Sequence, residues 1–452
     1  SGLVQTGGTF NSTSGVLKFY YYNSSFLSTD LTNNFGFIQT VGTFNHNNGT
    51  VRFESEVRMS DDRRYATTQK ININSSINFY NMIIDLDDKT SDGTYNQSKI
   101  AITAGDILNV ENVHTIIDGE IDGGTINLEG NLIATCASAR YCAGNDYQTS
   151  SANAINRVPT KGSKRRGGGT VIIKFTGSSP QTYSVAANTL LPRFVIPVGA
   201  AVSPFAGTTD LHVASFLQQG GSFQAPSGEF RVGHLSALGI SSSSQGFQVL
   251  PGSTYDHNNG TLFLVQVRNE SSLKTAMVLE IASGITLNNL RVALLDKYSL
   301  GGYDDARLVL SSTPIVVLGD FRHEDGIISS GVFQIHGDLT TVNLSSQRRP
   351  EGGNTQYEMV GSSLQSIDIG GSNFTTTSIT LDNAAGAILT NASGLSGQTD
   401  FDLVNGDLDL NGFNFTGIEN LSITNTSSVT KNGGQLDYVT CSGPATCPVD
   451  DM

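Results

Sequence analysis

The densest acidic cluster in the chain is Asp85, Asp87, Asp88 and Asp92, within DLDDKTSDG. Carboxylates crowded on a turn are hard oxygen ligands of the kind Ca²⁺ takes. This turn is therefore the cation candidate, and no other cofactor is expected. A second group, Asp118, Glu120 and Asp122 in IIDGEIDGG, alternates along the chain. On one strand these carboxylates would share a face, where they could bind Ca²⁺ or act as acid and base on a glycan. The same ladder is also what the wet face of an ordinary strand looks like. Asp407, Asp409 and Asn411 before Gly412 open like an EF-hand loop, but the twelfth position is Ile418, where a bidentate Glu is required. There is no G-x-S-x-G, H-E-x-x-H, phosphate-binding loop or dinucleotide fingerprint. The seven His are scattered, and His46 and His257 occupy the same position in two copies of HNNGT. No catalytic residue is assigned, and an enzyme is not expected.

Two segments have the character of contact surfaces. Tyr20, Tyr21 and Tyr22 stand in KFYYYNSSF. Three consecutive aromatics on a strand must place at least one outward, and an exposed aromatic patch marks a contact with another subunit, with the same chain or with a glycan. Lys161, Lys164, Arg165 and Arg166 fall in KGSKRRGGG, which reads as a solvated loop, as an arm reaching an acidic face of a neighbouring subunit, or as a contact for a glycan or anionic polymer. The four Cys form two C-x5-C pairs, Cys136 with Cys142 and Cys441 with Cys447. Four Cys permit three pairings, of which the local one is simplest. A metal site is disfavoured by the spacing and by the lack of a nearby His. Disulfides would imply an oxidising, extracellular setting.

The elements that must position these residues are strands. Charged residues make up 15% of the chain and hydrophobic residues 38%, with 50 Gly and no Trp among 452 residues. Abundant Ser, Thr and Asn compete with helical backbone and favour turns and strand faces. The net charge of −14 argues against a nucleic-acid partner. No apolar run is long enough to span a membrane. Residue 1 is Ser, so a processed or excised form is expected. Internal repetition is plain: LVQTGGTFNSTSGVLKF at 3–19, FIQTVGTFNHNNGTVRF at 37–53 and FLQQGGSFQAPSGEFRV at 216–232 align, and YDHNNGTLFL at 255–264 is a partial copy. A looser pattern, Gly followed by apolar residues two and four positions later, recurs at Gly15, Gly49, Gly124, Gly228, Gly260, Gly331 and Gly406. Each is a turn opening a short strand with one buried face. Gly169 to Gly260 spans 91 residues and Gly260 to Gly353 spans 93. Gly49 to Gly169 spans 120, the excess matching the atypical segment 134–166. The first copy starts in mid-unit, so the chain reads as part of an array.

With Gly42-Thr43-Phe44, Gly49-Thr50-Val51, Phe79-Tyr80-Asn81-Met82-Ile83 and Gly406-Asp407-Leu408-Asp409-Leu410 in place, the chain resembles the repeat regions of large secreted bacterial surface proteins and adhesins. That resemblance implies a parallel β-helix and a cell-surface location, and it implies no specific activity. The expectation is an all-β β-solenoid of about four degenerate ~90-residue units, with tandem β-sandwiches as the alternative. It divides into an N-terminal repeat region (1–133), a Cys-containing basic insertion (134–166), a C-terminal repeat region (167–435) and a disulfide-stapled tail (436–452). The expected function is that of an extracellular fibre, sheath or filament subunit, forming homo-oligomers. The alternatives are an adhesin that binds glycan or a neighbouring surface, and a β-helix polysaccharide-degrading enzyme.

Overall fold

Apolar and polar residues alternate along segments such as Lys99–Ile102, Thr125–Leu128, Ile172–Phe175 and Ala276–Ile281, and each is a strand whose every second side chain is buried. The computed structural model describes residues 2–23, 34–57, 68–86, 99–135, 169–186, 189–233, 246–267, 276–295, 307–311, 314–342, 352–395, 399–424 and 426–443. Among these residues there are strands and turns and no helix, so the chain is all-β as expected. It forms two units, Ser1–Arg231 with Val249–Asp256, and Val232–Gln248 with His257–Met452.

In the first unit, one sheet runs Leu3–Asn11, Asn34–Asn45, Thr68–Ile73, Lys99–Ile102 and Glu120–Asp122, every neighbour parallel. Alongside it run Val16–Asn23, Thr50–Val57, Ser76–Leu86 and Ile107–Asp118, again parallel. The last of these serves two neighbours: Ile107–Val110 pairs with Thr125–Leu128, and Val113–Ile116 with Asn131–Ala134. The two rows continue through Ile172–Phe175 and Gln181–Val185 to Arg193–Ile196 and Ala201–Pro204. Parallel neighbours need long connections, and the residues bridged from row to row are 34 apart at Gln5 and Gln39, 31 at Asn78 and Asn109, and 18 at Asn109 and Asn127.

Like stacks on like in the register. Phe19, Phe53, Ile84, Ile116, Ala134 and Val185 form one inward row, and Phe79, Val110, Leu128 and Phe175 another. Phe19 and Phe53 stack at 5.2 Å. Parallel sheets are usually apolar on both faces. Here the outer face is lined with Asn, Thr and charged side chains, which explains the low apolar content.

The second unit follows the same rules. One series of parallel neighbours is Thr261–Val267, Asn289–Leu295, Phe321–Asp325, Leu339–Val342 and Gln365–Phe374. Another is Ile327–Ile335, Gly352–Met359, Ser378–Asp382, Asp400–Asn405, Phe415–Ile423 and Leu436–Ser442. Along the latter, Phe333, Tyr357, Ile379, Phe401, Leu421 and Cys441 lie in register as one core row. All but the last are fully buried, each stabilising the unit by about 1.5–3 kcal/mol.

Candidate functional site

Of the acidic turn expected to hold a cation, Asp85 is described, and Asp87, Asp88 and Asp92 lie outside the described residues. Asp85 is the penultimate residue of the Ser76–Leu86 strand and accepts a hydrogen bond from Arg52 Nη2 at 2.5 Å. Among the described residues no group of three or more His, Cys, Asp or Glu is placed to hold a metal ion.

The Asp118–Glu120–Asp122 ladder does not share a strand face, which corrects the expectation from spacing. Asp118 ends one strand and Glu120 begins another, and the two strands lie in different sheets. Gly119 between them takes φ 105°, and a Cβ there would sit 2.9 Å from Leu86 Cβ. The chain turns a corner at the one residue type that permits this backbone. Asp118 Oδ1 then accepts the Gly119 N–H at 2.9 Å, and Asp122 pairs with Lys99 at 2.8 Å.

The Asp residues of the Gly-Asp-Leu pattern accept hydrogen bonds from the following row or from their own turn. Asp407 Oδ1 accepts the N–H and the hydroxyl of Ser428, both at 2.8 Å. Asp409 Oδ1 accepts the Asn411 N–H at 2.7 Å and Asn432 Nδ2 at 2.8 Å. Asn131 does the same for the Thr182 N–H at 2.8 Å, and Asp338 for the Ser366 N–H at 2.7 Å. An acceptor is what these positions supply, so Asn and Asp interchange.

A matching device was missed in the sequence. Gly177-Ser-Ser-Pro-Gln181 and Gly361-Ser-Ser-Leu-Gln365 are two copies of one turn. Gln181 Oε1 accepts the Gly177 N–H at 2.9 Å, while its Nε2 donates to the Leu128 and Gly130 carbonyls at 2.8 and 2.6 Å. Gln365 Oε1 accepts the Gly361 N–H at 3.1 Å, and its Nε2 donates to the Ile335 and Gly337 carbonyls at 3.1 and 2.5 Å. The shared G-S-S-x-Q string was the available signal.

Tyr20 is half-buried and has Lys18 Nζ 4.8 Å from its ring centre, with Lys18 also paired to Glu54 at 2.7 Å. Tyr20, Tyr21 and Tyr22 take Glu54, Ser55 and Glu56 of their own chain as strand partners. The side chains of Tyr21 and Tyr22 are outside the described set, as are Lys161, Lys164, Arg165, Arg166, Cys136, Cys142 and Cys447. Cys441 closes the core row named above, and no described Cys is a free thiol.

His46 and His257 shape identical turns. Asn47 and Asn48 have φ 49° and 56°, as do Asn258 and Asn259. His46 Nδ1 accepts the Asn48 N–H at 3.0 Å, and His257 Nδ1 the Asn259 N–H at 3.1 Å. Three other described His are buried, His114, His212 and His323. His114 lies in a row between Met82 and Leu132. His323 lies beside Val292 and Thr341, with Nε2 2.9 Å from the Gly326 carbonyl. Burial pushes the pKa of His114 and of His323 down to about 4.

Two of the edge strands among the described residues are Leu3–Asn11 and Leu436–Ser442. Leu3–Asn11 is the last strand of its sheet and exposes most of its side chains. Leu436–Ser442 pairs with Phe415–Ile423 and carries Val439, 71% exposed. Val4 in Leu3–Asn11 and Val16 in Val16–Asn23 are each 57% exposed. An edge strand offers a row of N–H and C=O groups that can pair with another chain. Comparison with protein-family models, with curated proteins and with solved structures finds no match to this chain.

Proposed function

We propose that this protein is an extracellular structural protein, the subunit of a surface fibre, sheath or filament. In this reading each unit is a β-solenoid, or parallel β-helix, whose successive rows belong to repeats of about 90 residues. The parallel pairing and the rows of like residues support the solenoid reading, because a solenoid stacks each repeat on the one before it. The observation that carries the functional reading is the pair of edges. Leu3–Asn11 and Leu436–Ser442 are parallel edge strands with solvent-exposed valines, and they lack the edge lysines and prolines that usually block strand addition. One copy's Leu436–Ser442 strand extends the sheet of the next copy at Leu3–Asn11, a heterologous contact that propagates. Local disulfides at Cys136–Cys142 and Cys441–Cys447 staple an insertion and an end.

Electron microscopy and sedimentation of the purified protein over a range of concentrations test this. Filaments or end-to-end oligomers are expected, and Val4→Lys or Val439→Lys should suppress them. A strict monomer at high concentration sinks the reading.

A further inference from the structure

We propose that an outer corner of the first unit, formed by His46, Tyr80, Glu111 and the Asn78–Asn109–Asn127 row, binds a neutral, hydroxyl-rich oligosaccharide. The site goes beyond the fibre reading and does not depend on polymerisation.

The corner is assembled from four rows. The register between Ser76–Leu86 and Ile107–Asp118 shifts between the pairs Phe79–Val110 and Asn81–Val113, so that Glu111 and Asn112, with one residue extra on their strand, stand against the single Tyr80. Bulges of this kind re-aim a side chain and are enriched beside functional sites. The Tyr80 ring stacks on the His46 ring, with centroids 5.8 Å apart and planes within 21°. Glu111 Oε2 lies 3.3 Å from His46 Nε2, and Glu111 Oε1 accepts from Asn78 Nδ2 at 3.2 Å. The side chains of His46 and Glu111 remain 17% and 30% exposed. Asn109 Nδ2 donates to Asn78 Oδ1 at 2.8 Å, and Asn127 Nδ2 to Asn109 Oδ1 at 3.0 Å. The result is one directed chain of hydrogen bonds, Asn127 to Asn109 to Asn78 to Glu111.

This chemistry matches a sugar. Each amide nitrogen in the row uses one of its two N–H groups within the row, and Glu111 keeps acceptor capacity. Paired donors and acceptors suit vicinal hydroxyls, and an aromatic pair supplies an apolar platform with a polar rim. Adjacent rows stand about 4.8 Å apart, a step comparable to one sugar residue, so a chain lying across the rows meets a repeated set of amides. His46 and Glu111 alone are too few ligands for a metal ion. The net charge of −14 disfavours an anionic polymer.

The second unit provides an internal contrast. Its turn at His257 has the same backbone, and Asn289 pairs with Thr261 as Asn81 pairs with Thr50. The residue before it is Asn288 where the first unit has Tyr80. The turn is thus shared scaffold, and the aromatic platform is an addition at one copy.

The test is calorimetric titration of the full chain with cello-, xylo-, manno- and galacto-oligosaccharides. Saturable binding to at least one is expected. Tyr80→Asn, which installs the second unit's own residue, and Glu111→Gln should each weaken it tenfold or more, with melting temperature and filament formation unchanged. Tyr20→Ala should leave it intact. Absence of saturable binding across the panel overturns the proposal, as does binding that survives both variants. Imaging the same samples separates this result from the fate of the fibre reading.

Discussion

Asp338 Oδ1 accepts the backbone N–H of Ser366 at 2.7 Å, across a sequence separation of 28 residues. Asp320 serves Asp338 in the same way at 3.0 Å, and Asn289 serves Asp320 at 2.8 Å. Three successive rows of the second unit are thus each capped by a short acceptor side chain on the row before. If the position needs an acceptor and not a charge, Asp338→Asn should leave stability unchanged, with or without added Ca²⁺. Asp338→Ala should lose about 1–2 kcal/mol, read by urea unfolding. A large loss in Asp338→Asn would show that the carboxylate charge matters.

The buried glutamines carry more. Gln365 and Gln181 each satisfy one N–H and two carbonyls of buried or half-buried backbone. Gln365→Leu keeps the volume but removes the side-chain partner of the Gly361 N–H and the Gly337 carbonyl, while the Ile335 carbonyl still accepts the Val360 N–H, so a loss of roughly 2–4 kcal/mol is expected. Thermal unfolding checks it, and a near-neutral result would mean that the turn finds other partners.

Acid should weaken the fold through its buried histidines. The ordinary His pKa is 6.5, and in the folded chain His323 and His114 are held near 4. Between these values the unfolded chain binds a proton that the folded chain refuses, so stability falls as pH falls from about 6.5 to 4. Each site contributes a loss of about 3 kcal/mol at most. The Tyr357 hydroxyl stands 3.5 Å from His323 Nδ1, so His323→Phe is expected to lower stability at pH 7 while flattening its decline toward pH 4.5. Denaturant titrations at the two pH values decide this, and an unchanged slope would count against the assignment.

Close backbone packing makes some glycines irreplaceable. A Cβ added at Gly130 would lie 1.5 Å from the Asn112 carbonyl oxygen. Backbone cannot yield as a flexible side chain does, and Gly130→Ala should destabilise by roughly 2–4 kcal/mol or prevent folding. A melting temperature equal to that of the parent would contradict the close approach.

Much of the local structure was legible because it depends on neighbours in the chain. Apolar alternation at Thr125–Leu128 marks a strand wherever it lies, and the two HNNG strings adopt matching left-handed φ values because Asn and Gly tolerate them. The all-β class followed from such segments. What depends on distant rows was not legible. Asp118 and Glu120 looked like one face until Gly119 sent them into different sheets. Asp407 opened like a cation-binding loop in the sequence, and its role as a cap appeared only when Ser428 supplied its N–H from the next row. His46, Tyr80 and Glu111 carry no shared spacing signal, since they meet only through parallel pairing and a register skip. By itself the sequence determined which residues turn and which face inward, because those preferences act over a few bonds. The tertiary structure decided which carboxylate caps which backbone and which side chains share a corner, because row-to-row register is set by how complete strands stack.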